Sequence, residues 1–169
     1  MKNQIVPFIL LLAMKQSLKK RIGEILIEDG VLSKETLEEA LSVQKKEGGL
    51  VGQILIRMGF ISEEDLVAAL GKQLKIPYLT LGHYSINLES SRPLGEEFCR
   101  KNIILAFDHD DKRIYLAIAD PLNDSLLEEV SKKTALKMQI FISTPTEILN
   151  MLDLIFSAHE AKPEMKKAG

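Results

Sequence analysis

A 24-residue phrase occurs twice in this chain, and this repeat limits the possible folds more than any other feature. RIGEILIEDGVLSKETLEEALSVQ occupies residues 21–44 and LVGQILIRMGFISEEDLVAALGKQ residues 50–73, a shift of 29 positions with eleven identities. Self-similarity of this kind indicates a repeated supersecondary unit. Because two copies are too few for a solenoid, we expect them to pack on each other.

Each copy has the pattern of a helix, a glycine stop and a second helix. Gly30 and Gly59 stand where a left-handed residue ends a helix. Ser33 and Ser62 follow as N-cap candidates, and Ser62 with Asp65 fits a capping box. The helices are predicted at residues 16–29, 33–46, 50–58 and 62–74, with apolar residues at three- and four-residue steps. Each copy should therefore form a helical hairpin with one apolar face.

The pattern changes after Pro77, where short β-branched runs replace helical spacing. Strands are predicted at 78–81, 103–108, 113–119 and 137–142. Helices are predicted from Ser91 and Pro93, from Asp124 or Ser125 to Thr134, and from Pro145. The predicted fold class is α+β, with N-terminal tandem helical hairpins followed by a small α/β subdomain with a short mixed sheet.

This organisation predicts four segments along the chain. They are an extension at residues 1–17, a tandem helical repeat subdomain at 18–75, an α+β subdomain at 76–157 and a polar tail at 158–169. The apolar run from Ile5 to Met14 is too short to span a membrane. It leaves three alternatives open: a disordered extension with Met14 as the true start, a packed helix, or a targeting segment.

Composition argues against several classes of function. The net charge of -2 gives no support for DNA or RNA binding. A single cysteine, Cys99, excludes an intramolecular disulfide and suits a cytoplasmic setting, and three dispersed histidines give little support for a metal site. Phosphate-loop, dinucleotide-binding, serine-hydrolase and zinc-protease motifs are all missing, so an enzyme and a catalytic residue are not expected. Cys99 is interpreted as a packing residue.

Polar residues recur at the edges of the repeat's apolar stripe, and packing alone does not explain them. Arg21, Gln44 and Gln73 are the residues concerned. A guanidinium can stack on a purine or donate a fork of hydrogen bonds to guanine or phosphate, and a Gln amide can pair with a base edge. The alternative is that two hairpins simply bury their faces against each other.

The repeat also resembles the N-terminal domain of the ATPases of type II secretion and type IV pilus assembly. Within that family it is similar to the tandem-motif subgroup that binds cyclic di-GMP, with copies separated by the five residues from Lys45 to Gly49. Ala117 to Pro121, AIADP, resembles the family's α/β segment. The resemblance implies that cyclic di-GMP is a ligand, that no cofactor is needed, and that the following residues form its site: Arg21, Ile22, Gly23, Leu26, Leu37, Leu41, Gln44, Val51, Gly52, Leu55, Leu66, Leu70 and Gln73.

Two positions depart from the family pattern: Leu50 replaces its arginine and Phe60 replaces an aliphatic residue. The ATPase engine of the family is also missing from this sequence, which predicts a stand-alone module or a fragment. Two functions remain open. One is a cyclic di-GMP sensor that regulates an export or pilus machine. The other is a docking module at the inner-membrane face, between an assembly ATPase and an inner-membrane protein; in that case Leu50 should pack in the seam between the hairpins.

Overall fold

The computed structural model describes residues 21–160, with side chains up to Ser157. Seven α-helices and three strands lie in that range, in the order α1 (Ile22–Glu28), α2 (Lys34–Glu47), α3 (Val51–Arg57), α4 (Glu63–Leu74), α5 (Glu96–Asn102), β1 (Ile104–His109), β2 (Arg113–Ile118), α6 (Asp124–Thr134), β3 (Lys137–Ile142) and α7 (Pro145–Glu160). The predicted extension, residues 16–20 of the first predicted helix and the tail beyond residue 160 lie outside the described residues.

The glycine stops and N-caps between the first four helices are those that the sequence predicts. Gly30 and Gly59 have φ of 72° and 75°, in the left-handed region. Ser33 Oγ accepts the N–H of Thr36 at 3.1 Å and so caps α2. Ser62 and Asp65 form a reciprocal capping box at the start of α4, with distances of 2.9 and 3.1 Å. Side-chain hydrogen bonds thus fix the starts of α2 and α4.

The two copies pack on each other, as expected. The first helix of each copy packs on the second helix of the other copy, so the copies exchange helix partners. α1 of the first copy lies on α4 of the second, and α3 of the second copy lies on α2 of the first. Each packed pair therefore contains one helix from each copy. Their buried side chains form one core: Ile25, Leu26, Leu32, Ala40, Ile54, Leu55, Ile61, Leu66 and Ala69.

Helix α4 belongs to two cores at once. Leu66 and Ala69 face the tandem core, whereas Val67 and Leu74 lie in the larger core of the α+β half. In addition, Glu63 Oε2 accepts the N–H of Thr146 at 3.1 Å, which connects the first turn of α4 to that of α7. The two halves of the chain are therefore joined through α4.

The sheet has the order β1-β2-β3 and is mixed. β1 and β2 pair antiparallel, with an irregularity between Ala106 and Asp108, and β2 and β3 pair in parallel after the α6 crossover. This arrangement confirms the predicted α+β class with a short mixed sheet. The three observed strands agree with the predictions for residues 103–108, 113–119 and 137–142 to within one residue.

The strand predicted at Tyr78 to Leu81 is wrong. Tyr78 forms only an isolated bridge to Ile142, and Leu79 donates its N–H to the Ile142 carbonyl at 2.9 Å. Since Ile142 is the last residue of β3, no strand remains to pair with, and the chain turns into a 3₁₀ segment at Leu81–His83.

Two predicted helix starts are also displaced. Ser91 does not begin α5, because its buried Oγ bonds both the N–H and the carbonyl of Ala106 at 3.0 Å. Gly95, with φ 83°, precedes the helix instead. The cap of α6 is Asn123, whose Oδ1 accepts the Leu126 N–H at 3.1 Å, rather than Asp124 or Ser125. Pro145 begins α7 as predicted, and the helix runs to Glu160, three residues into the predicted tail.

Candidate functional site

The first position of each copy lies on the surface, immediately before a seven-residue helix. Arg21 is exposed, and its main-chain N–H donates to the Glu24 carboxylate at 3.0 Å. Leu50 is 68% exposed, the largest exposure among the large apolar side chains of the described chain. The expectation that Leu50 packs in a seam between hairpins is therefore wrong. The linker brings it to the start of α3, where none of the helices between residues 22 and 160 covers it.

The third position of each copy is a glycine because a leucine occupies the space of its side chain. A Cβ on Gly23 would lie 2.7 Å from both Leu37 methyls. A Cβ on Gly52 would lie 2.7 Å from a Leu66 methyl. Both distances are below ordinary van der Waals contact. The glycines therefore let the short first helix of each copy approach the second.

The apolar candidates differ in how much of them a ligand could reach. Leu26 and Leu55 are 1% and 0% exposed, so they lie inside the tandem core. Leu66 is also buried, and Leu41 is exposed. Four others are half-buried: Ile22, Leu37, Val51 and Leu70. The buried leucines hold the helices together, while the half-buried and exposed residues could present an apolar surface.

The two glutamines are half-buried, each in the last turns of a second helix. Gln44 Nε2 donates to the carbonyl of Gly49 at 2.7 Å. This bond holds the linker against the end of α2 and puts Gln44 beside Leu50. The structure therefore joins the last position of copy one to the first position of copy two.

Two ion pairs also link the copies, and the sequence alone did not reveal them. Lys72 on α4 lies 2.6 Å from Asp29 after α1, and Arg57 on α3 pairs with Glu47 on α2. Each pair crosses one of the two exchanged helix contacts. The partners do not occupy equivalent positions in the two copies, so the repeat carries no signal for them.

Residues 18–75 contain neither cysteine nor histidine. Cys99 is in the other core, where burial raises the pKa of its thiol to about 11 against a weaker opposing hydrogen bond with Ser91. Asp110, in the β1–β2 turn, accepts the main-chain N–H groups of Lys112 and Arg113 at 2.8 Å, and these bonds lower its pKa. Burial first, and then the hydrogen bond to Asp110, raise the pKa of Tyr115. These shifts have ordinary structural causes.

Within residues 21–157, no three His, Cys, Asp or Glu side chains come together as metal ligands. Among the helices between residues 21 and 160, none has the length and apolar character needed to cross a bilayer.

Comparison with solved structures gives strong similarity over most of the chain. A structure of MshE with cdg, cyclic di-GMP, superposes with a TM-score of 0.71 at 27% identity and covers 81% of this chain and 99% of that one. The N-terminal domain of XpsE superposes with a TM-score of 0.62 at 23% identity, covering 79% of this chain and 92% of that one. A second crystal form of the same domain gives a TM-score of 0.53. No curated protein sequence matches the chain.

The family model of the MshEN domain matches residues 74–162, which is about half of the chain and contains the mixed sheet with its helices. The structural match to MshE covers 81% of the chain, so it extends beyond these residues into the tandem helical half. The sequence resemblance drawn from the repeat and the family match drawn from the sheet thus come from different parts of the molecule and agree. The chain belongs to the MshEN domain family, the N-terminal domains of secretion and pilus assembly ATPases.

Proposed function

We propose that this chain is a non-catalytic regulatory domain of a bacterial type II secretion or type IV pilus machine and that its tandem helical half binds cyclic di-GMP. The observation that carries the proposal is the similarity to MshE, a structure solved with that dinucleotide, which covers 99% of the MshE chain. The match therefore includes the part of the fold where the repeat lies.

The reciprocal packing of the two copies supports a site for a ligand with two equivalent halves. Gln44 of α2 lies beside the start of α3, where Leu50 is exposed. Because α1 lies on α4 as α3 lies on α2, the same relationship predicts that Gln73 of α4 lies beside the start of α1 and Arg21. The result is two half-sites, Arg21 with Gln73 and Leu50 with Gln44, each built from both copies. Cyclic di-GMP has two equivalent guanosine units to match them.

The exposed groups have the chemistry that such a ligand needs. The guanidinium of Arg21 can donate two hydrogen bonds to guanine or to phosphate. A Gln amide carries both a donor and an acceptor for a base edge, and Gln44 already donates one N–H to the Gly49 carbonyl. Exposed Leu41 and the half-buried Ile22, Leu37, Val51 and Leu70 can cover the faces of the bases. The fully buried Leu26 and Leu55 act by holding the helices in position.

Isothermal titration of the purified chain with cyclic di-GMP tests this function directly. Arg21→Ala should reduce the affinity about ten- to hundredfold, which corresponds to a charged hydrogen bond of about 1.5–3 kcal/mol. Arg92→Ala, at an exposed arginine of the other half, and Glu38→Ala, on the exposed face of α2, are matched controls that should leave the affinity unchanged. Absence of binding by the wild-type chain, or equal affinity in Arg21→Ala, would contradict the proposed site.

A docking function is the second candidate, and in it the exposed Leu50 would meet a partner protein instead of packing in a seam between the hairpins. Leu50 and Leu41 present apolar surface at the tandem half, and a protein partner could cover both. We propose the cytoplasmic face of the inner membrane as the location, with a secretion or pilus ATPase or an inner-membrane assembly protein as the partner. Loss of partner capture in Leu50→Asp, with cyclic di-GMP affinity unaffected, would favour docking at this surface.

A further inference from the structure

The two copies have the same backbone geometry at their first position but opposite chemistry. Arg21 has φ -74° and ψ 148°, and Leu50 has φ -91° and ψ 128°, so both are extended residues that lead into a short helix. Two residues later, each helix has a glycine in contact with a leucine. The side chains of Arg21 and Leu50 therefore leave the fold at equivalent places.

Nothing in the packing of residues 21–157 explains an apolar residue at position 50. Its side chain is 68% exposed and contributes to neither core. The neighbouring Gln44 uses its amide nitrogen to hold the linker carbonyl of Gly49 at 2.7 Å. The half-site at Leu50 thus offers an apolar surface and a single partly engaged amide, whereas the half-site at Arg21 offers a cation.

We propose that the site reads the two bases of its ligand unequally. The inference rests on the proposed function. At one half-site Arg21 recognises guanine through O6 and N7, two acceptors that adenine does not have together. At the other, Leu50 covers the face of a purine and makes no contact that distinguishes guanine from adenine. The ligand class is therefore cyclic dinucleotides with at least one guanine, including the mixed guanine–adenine compound.

The expected selectivity follows from the contact that is missing. A bidentate arginine–guanine pair discriminates against the wrong base by about five- to hundredfold. An apolar side chain contacts any purine face with similar strength, because every base has a π-face. The chain should therefore bind a dinucleotide with one adenine and one guanine, but reject a dinucleotide with two adenines.

The experiment titrates the wild-type chain, Leu50→Arg and Leu50→Ala with cyclic di-GMP, cyclic GMP–AMP and cyclic di-AMP. The wild-type chain should bind the first two with affinities within about threefold and cyclic di-AMP at least fivefold more weakly. Leu50→Arg should gain affinity for cyclic di-GMP by about tenfold and then discriminate against cyclic GMP–AMP. Leu50→Ala should still bind cyclic GMP–AMP and cyclic di-GMP with similar affinities. Thermal melts check that the variants fold, which the exposure of Leu50 favours.

Three outcomes would overturn the inference. A wild-type chain that binds cyclic di-GMP but rejects cyclic GMP–AMP by tenfold or more reads both bases, and then the inference fails while the proposed function stands. Equal gains for both dinucleotides in Leu50→Arg would show that an arginine at this position contacts phosphate rather than base. Failure to bind any of the three compounds would remove the proposed function together with the inference.

Discussion

Gly23 and Leu37 are in contact in such a way that a single added methyl group on Gly23 would lie 2.7 Å from both ends of the leucine side chain. The same contact recurs 29 residues later between Gly52 and Leu66. The repeat thus preserves a contact between the first and second helix of each copy as well as its apolar pattern. Each seven-residue first helix therefore contacts both second helices: that of its own copy through this glycine, and that of the other copy through the exchanged packing.

The first prediction concerns this contact. Gly23→Ala should destabilise the chain by about 1–2 kcal/mol, because the overpacking cost of about 1–3 kcal/mol exceeds the gain of about 0.5–1 kcal/mol from replacing glycine in a helix. Gly82→Ala is the matched control, since a Cβ there meets nothing within 4 Å and its φ is not positive. Urea denaturation measures both. Equal stabilities of the two variants would mean that Leu37 yields freely.

The second prediction contrasts two leucines five residues apart in the second copy. Leu55 is 0% exposed, so Leu55→Ala should cost about 2–5 kcal/mol of stability. Leu50 is 68% exposed, so Leu50→Ala should change stability by no more than about 0.5 kcal/mol. Denaturation midpoints of the two variants test the difference. A large loss in Leu50→Ala would place that side chain in a contact.

The contrast between these leucines also shows what the sequence can and cannot predict. Helix ends followed from Gly30, Ser33, Gly59 and Ser62 because capping is a local interaction. The exchange of partners between copies did not follow, because both copies carry the same apolar pattern and either pairing buries it. The exposure of Leu50 depends on that pairing and so was missed as well.

The sheet shows the same limit in another way. β3 was predicted at its observed residues because alternation marks a strand wherever it pairs. Tyr78 to Leu81 has a similar composition, yet it meets only the last residue of β3. A run with high β propensity becomes a strand only where a neighbouring strand has unpaired residues beside it. That depends on the tertiary structure and not on the run itself. The residues of the candidate ligand site stay a prediction until a ligand is titrated.

The third prediction concerns the ion pair that joins the copies. Lys72 and Asp29 are 2.6 Å apart with side chains 60% and 30% exposed, so their coupling energy should be about 0.2–1 kcal/mol. A double-mutant cycle with Lys72→Met and Asp29→Asn measures it, and 1 M salt should reduce it, since the Debye length falls to about 3 Å. In a reference cycle between Lys72 and the exposed Glu128, the effects of the two mutations on the free energy of unfolding should add. Additivity in both cycles would show that the pair contributes nothing.

The fourth prediction uses Cys99 as a probe of opening. The side chain is 0% exposed and burial raises its pKa to about 11, so at pH 8 the folded chain presents neither access nor thiolate. Reaction with a thiol reagent should therefore proceed only through opening of the α+β core, and destabilising variants such as Leu152→Ala should accelerate it. Rapid labelling of the folded wild-type chain would contradict the burial.

The same thiol predicts how stability depends on pH in the alkaline range. The folded chain keeps the Cys99 proton up to about pH 11, whereas the unfolded chain loses it near the ordinary value of 9.0. Between these values the unfolded state binds fewer protons, so stability falls as pH rises. The contribution is fully present below pH 9 and disappears towards pH 11, which lowers the free energy of unfolding by on the order of 3 kcal/mol. Cys99→Ala is the comparison, because lysines and tyrosines titrate in both chains and only the cysteine term differs. If denaturation of the two chains follows parallel curves from pH 8 to 11, the thiol ionises without penalty in the folded state, and the core around it must be open to water.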